Sequence, residues 1–155
     1  MHIAIDDTYG SVGSKSRHVT ENRRTHVAII FPDEEADYIR EQITNCLSLI
    51  KKDTGVNAKE FHFVDIYNCN APWDKLPKKM NLMIFNFFAE IYSKYKWPVF
   101  IQTIDDRTLS DHDFSKLTGN IDRLKFSKRE DLSLLLLLFK IKKAYKNRSE
   151  PICIF

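Results

Sequence analysis

Four short runs rich in apolar and β-branched residues, at 2–5 (HIAI), 25–31 (THVAIIF), 99–104 (VFIQTI) and 151–155 (PICIF), are set among long stretches of helical periodicity. That alternation constrains the fold more than any other feature. Ile39, Ile43, Cys46, Leu47 and Ile50 recur at spacings of three and four after Pro32, with Asp33, Glu34 and Glu35 suited to a helix's positive first turn and Gly55 to its close. Met80, Ile84, Phe87, Phe88, Ile91 and Tyr95 predict a second helix over 78–96, limited by Pro98. A third runs from a Ser127–Glu130 capping-box spacing to about Asn147, with leucines around its whole axis. Residues 59–67 read as extended or irregular. The order strand, strand, helix, uncertain segment, helix, strand, helix, strand predicts an α/β fold with a mixed sheet flanked by helices. The first two strands pair as a long hairpin.

A chain of 155 residues with 43% hydrophobic and 29% charged residues fits one globular domain. The net charge of +3 is too small to mark a nucleic-acid binder by itself. Cys46, Cys69 and Cys153 form no Cys-x-x-Cys pair, which argues against a disulfide scaffold or thiolate zinc site and for a reducing, cytoplasmic compartment. The start, MHIAIDD, lacks a signal-peptide pattern, and the longest apolar run, 134–139, is far short of the roughly 20 residues that span a bilayer. No membrane role is expected.

Two predicted strands end in acid pairs, Asp6-Asp7 and Asp105-Asp106. Aspartate after a strand is ordinarily a turn residue. In open α/β sheets, however, chemistry gathers at the carboxyl ends of strands. If the two strands are neighbours, their carboxylates converge and require a cation, with Mg2+ the natural candidate for hydrolysing a phosphodiester. Adjacent strand residues face opposite ways, so one of each pair is the expected ligand, Asp6 in the first. A third cluster, Glu60, His62 and Asp65, places Glu60 and His62 on one face if the segment is extended.

The opening Ile-Ala-Ile-Asp6-Asp7-Thr8-Tyr-Gly resembles the first strand and Asp-Glu-Ser-Gly motif of the domain-of-unknown-function 3800 family, and Glu60-Phe61-His62 with Asp65-Ile66 resembles its second motif. The resemblance implies a ribonuclease H-like fold and a nuclease-like site using Mg2+ or Mn2+. Asp6 and Glu60 would be ligands, with His62 and Asp65 nearby. Asp7 belongs to the same acidic set, and Asp105 or Asp106 would join it, with nothing in the residues to choose between them. Asp-Asp-Thr-Tyr-Gly stands where the family has Asp-Glu-Ser-Gly. The family also continues past the strand resembling 151–155 into elements that supply a late acidic residue. The expectation is therefore of a sheet incomplete at its C-terminal side: a fragment, a shortened relative, or a sheet completed by a second copy or a partner chain.

Lys15, Arg17, Arg23 and Arg24 in the loop before the second strand, and Lys125, Lys128 and Arg129 near a helix start, are candidate phosphate contacts to nucleic acid. Trp73 and Trp97 read as core or loop anchors rather than base-stacking platforms. A Gly-rich phosphate loop, a Gly-x-Ser-x-Gly elbow and a four-ligand zinc spacing are all missing. The competing expectation is a non-catalytic binding or regulatory protein that assembles through an open strand edge.

Overall fold

A computed structural model describes residues 1–10, 22–112, 114, 119–147 and 153–154. In chain order the elements are β1 (His2–Tyr9), β2 (Arg24–Phe31), α1 (Asp33–Thr54), α2 (Phe63–Asn68), a short 3-10 helix (Trp73–Lys75) and α3 (Met80–Tyr95). There follow β3 (Val99–Ile104), α4 (Asp106–Asp111), β4 (Asn120–Ile121), β5 (Leu124–Lys125), α5 (Arg129–Ala144) and β6 (Cys153–Ile154). The chain divides into two compact units, Met1–Phe31 with Pro98–Phe155, and Pro32–Trp97.

The first unit is built on a mixed sheet of order β3-β2-β1-β6. β1 and β2 form the predicted antiparallel hairpin, in register from His2 opposite Phe31 to Tyr9 opposite Arg24. β3 lies antiparallel on the far side of β2, and β6 runs parallel to β1 beside His2 and Ile3. β1 runs four residues beyond its predicted end at Ile5, so Asp6 and Asp7 lie within the strand. Aspartate has poor β propensity, but the ladder to residues 24–27 carries the strand through it.

Alternation places Ile3, Ile5 and Asp7 on the same face as Ala28 and Ile30, and α5 covers that face. Ile3, Ala28, Ile30, Leu137 and Ile141 are all at most 3% exposed there, with Ile5 and Phe100 packed against them. Each such apolar side chain contributes roughly 1.5–3 kcal/mol by leaving water. The capping box predicted at Ser127 does not form: Lys128 is the N-cap and no side chain caps the helix. The first-turn acids are used elsewhere, Glu130 4.0 Å from Arg24 and Asp131 accepting from the Lys125 amide at 2.9 Å. The short helix α4 and the β4–β5 hairpin are additions to the predicted order.

The second unit is helical. α1 starts after Pro32 with its three acids in the first turn and ends at Gly55 in the left-handed conformation, as its sequence predicts. Ile50, Val56, Ile66, Trp73 and Ile84 form its core. The segment read as extended contains α2 instead. Turning the chain there buries Ile66 completely and brings it into the cluster with Trp73, which is 2% exposed. Trp97 is also an anchor, its Nε1 donating to Glu35 at 2.6 Å and its ring stacked on Tyr95. Among the described residues no helix is long and apolar enough to cross a membrane.

Candidate active site

Asp6 and Asp7 sit on a central strand of the first unit, both exposed, with Asp6 Oδ1 accepting from the Asp7 amide at 2.9 Å. Strand geometry sends their side chains to opposite faces. Asp7, rather than the preferred Asp6, shares the α5 face and stands directly across from His26. The cleft there holds about 400 Å3 and is lined by Ile5, Asp6, Asp7, His26, Leu134 and Leu138.

His26 is 8% exposed and Ser133, on α5, is fully buried. The ring's Nδ1 lies 3.0 Å from Ser133 Oγ, whose own proton is donated to the Gln102 carbonyl at 3.2 Å. A hydroxyl has one proton to give, so with that proton on the Gln102 carbonyl the matching tautomer is the one in which the imidazole donates at Nδ1. Burial pushes the His26 pKa below its ordinary 6.5, and Arg24 adds to this, while Asp7, Asp131 and Asp6 pull the other way. Burial thus favours the neutral ring, in which a proton on Nδ1 leaves the lone pair at Nε2. Sequence reasoning missed both residues. A histidine in the apolar repeat His26, Ala28, Ile30 and a serine within a leucine run are the signals that point to them.

The second acid pair does not meet the first. β2 lies between β1 and β3, so the condition that the two strands be neighbours is not met. Adjacent strands are about 4.8 Å apart, which separates β1 from β3 by about 10 Å. Asp7 shares a row with Gln102, so Asp105 lies three residues, about another 10 Å, further along. Asp105 is the N-cap of α4, accepting at Oδ1 from the Thr108 amide at 2.8 Å and the Thr108 hydroxyl at 2.9 Å. Asp106 takes a bond from Arg129 Nη2 at 2.7 Å. Arg129 also donates to the Asn22 carbonyl at 2.8 Å, which occupies one candidate phosphate contact with the protein's own acceptors.

Glu60, His62 and Asp65 belong to the second unit. Glu60 is exposed in a bend before α2, and His62 is the N-cap residue of that helix, so the two do not share a strand face. His62 Nδ1 lies 2.6 Å from Asp65 Oδ2, and Asn70 donates to Asp65 Oδ1 at 3.0 Å. The Asn70 bond first, and the His62 bond after it, hold the Asp65 carboxyl below the usual range. Of the predicted nucleic-acid contacts, Arg23 and Arg24 flank the start of β2, while Lys15 and Arg17 lie outside the described residues.

Among the described residues no group of three or more His, Cys, Asp or Glu side chains is placed to hold a metal ion. On the α5 face of the first unit, the Asp7 carboxylate and the His26 imidazole line the same cleft. No protein-family model, no curated protein and no solved structure matches the chain.

Proposed function

We propose that the cleft beside Asp6 and Asp7 belongs to a nuclease-like hydrolase that cleaves nucleic-acid phosphodiesters with a divalent cation, Mg2+ or Mn2+, on a ribonuclease H-like frame. The observation that carries this reading is the acidic pair on a central strand, over a cleft of about 400 Å3. The order β3-β2-β1-β6, with β6 parallel to β1, is compatible with that frame. The Asp6-Asp7-Thr8-Tyr-Gly and Glu60-Phe-His62 motifs support the likeness to the domain-of-unknown-function 3800 family.

The donor chemistry fits a hard cation brought in with its substrate. Mg2+ is commonly held by one or two carboxylates, with waters and substrate phosphates completing its shell, so a full protein cage is not required. When bound, such an ion supplies Lewis-acid polarisation of the phosphoryl oxygen and a more acidic water. The chain's own residues define who enters. Asp6 and Asp7 repel a bare phosphodiester and admit one whose charge is offset. Leu134 and Leu138 give the cleft an apolar wall that strengthens the field of Asp7.

Cleavage of labelled RNA and DNA, single- and double-stranded, tests the reading. The expected result is activity that requires Mg2+ or Mn2+ and falls about 100-fold or more in Asp7→Asn, with a smaller loss in Asp6→Asn. Activity unchanged in Asp7→Asn overturns it.

One observation favours the alternative of a non-catalytic binding or regulatory protein. β6 pairs only with His2 and Ile3, so among the described residues 4–9 of β1 have no strand neighbour on that side. Such an edge accepts an added strand. A stable oligomer that binds no divalent ion and cleaves nothing is the outcome that reading predicts.

A further inference from the structure

In the first unit, the groups around His26 are held by contacts from a strand and from a helix. Ser133 reaches across from α5 and spends its proton on the Gln102 carbonyl, which lies in the same cross-strand row as His26. The ring is therefore held as an Nδ1–H donor. Its Nε2 has no partner among the described residues, and His26 lines the cleft that it shares with Asp7.

Asp7 is the direct cross-strand partner of His26 on that face. Side chains so placed have Cβ atoms about 4.5–5.5 Å apart, close enough for an imidazole nitrogen and a carboxylate oxygen to reach one ion. A ligating histidine ordinarily donates its other ring N–H to a fixed acceptor that locks the tautomer and aims the lone pair. The Ser133 hydroxyl, itself fixed by a main-chain carbonyl, supplies that acceptor.

We infer that the cleft holds its divalent cation through a nitrogen–oxygen pair, His26 Nε2 and an Asp7 carboxylate oxygen, and so prefers a later first-row ion such as Zn2+ to Mg2+. The inference rests on the proposal that the cleft is a divalent-ion site and is independent of whether it catalyses. Magnesium takes oxygen ligands and resists losing water, whereas imidazole suits the later ions. Two protein donors leave the remaining positions to water or a substrate phosphate oxygen.

The test is calorimetric titration of the full chain with MnCl2, ZnCl2 and MgCl2, each metal alone, paired with paramagnetic broadening of the 15N-labelled imidazole signals by Mn2+. Zn2+ binds at least about tenfold more tightly than Mg2+, and Mn2+ broadens the His26 resonances first. His26→Gln removes the preference. Asp7→Asn weakens every ion. Ser133→Ala, which keeps both donors but frees the ring, weakens Mn2+ about 10- to 100-fold. Where a variant fails to fold, the broadening experiment on the unsubstituted protein decides alone. Equal affinities, no binding, or broadening that spares His26 overturns the inference. Mn2+ binding at His26 without cleavage retires the nuclease reading and leaves the inference standing. Cleavage that persists in His26→Gln with Mg2+ as effective as Mn2+ does the reverse.

Discussion

Asp7 and Asp105 carry the same functional group and the same promise in the sequence, yet their surroundings differ. Asp105 is bound by the amide and hydroxyl of Thr108, the work of a helix cap, while Asp7 stands exposed across from His26. His26 makes its own prediction. Its folded pKa lies below 6.5, so the unfolded chain takes up the proton first as pH falls. The stability this residue contributes is complete above pH 6.5 and is lost as pH drops from there through the folded pKa. Urea melts from pH 7.5 to 5 are expected to show that loss, with a shallower slope in His26→Asn; identical slopes would count against a buried neutral ring. Ser133→Ala leaves Nδ1–H without its acceptor and is expected to cost about 1–3 kcal/mol in the same melts at neutral pH.

Among the elements, the legible ones were those whose own spacing decides them. α1 and α3 carry apolar residues at three- and four-residue intervals, and α1 carries both its start and stop signals. β1 was legible only as far as Ile5. Its continuation through Asp6 and Asp7 depends on partners in β2, information that no local window holds. α2 was hidden for a related reason, since Phe63–Asn68 turns to bury Ile66 against Trp73. The same limit applied to the site. Asp6 and Asp7 could be named from the sequence, but the His26–Ser133 bond joins residues 107 positions apart. At this scale two thermal-stability predictions follow from packing and backbone geometry. Leu137 is fully buried between α5 and the sheet, so Leu137→Ala is expected to cost about 2–5 kcal/mol. Gly55 has φ +75° and open space for 4 Å around the position a Cβ would take, so Gly55→Ala is expected to cost only about 1 kcal/mol, from conformation alone.

For the whole molecule, the sheet's two edges differ. On β3 the Ile101 carbonyl accepts from Lys140 Nζ at 2.7 Å, which occupies part of that edge with a charged side chain. Beside β1, the described strand β6 reaches only His2 and Ile3. The length of β1 that lacks a strand neighbour there among the described residues carries Asp6 and Asp7, so the same stretch serves the hydrolase reading as a site and the binding reading as an edge. Light scattering on the purified chain separates part of this: a monomer is expected if the edge borders a substrate cleft, and a stable dimer if it recruits a second copy.

The most direct measurement is the rate of divalent-ion-dependent cleavage of a labelled oligonucleotide by Asp7→Asn set beside Asp105→Asn. Asparagine caps a helix about as well as aspartate, so the second variant keeps α4 intact. With the catalytic site at the β1 cleft, Asp7→Asn loses about 100-fold or more while Asp105→Asn stays within a few-fold of the unsubstituted protein. Full activity in Asp7→Asn, or no cleavage by the unsubstituted protein with any of Mg2+, Mn2+ or Zn2+, contradicts the account.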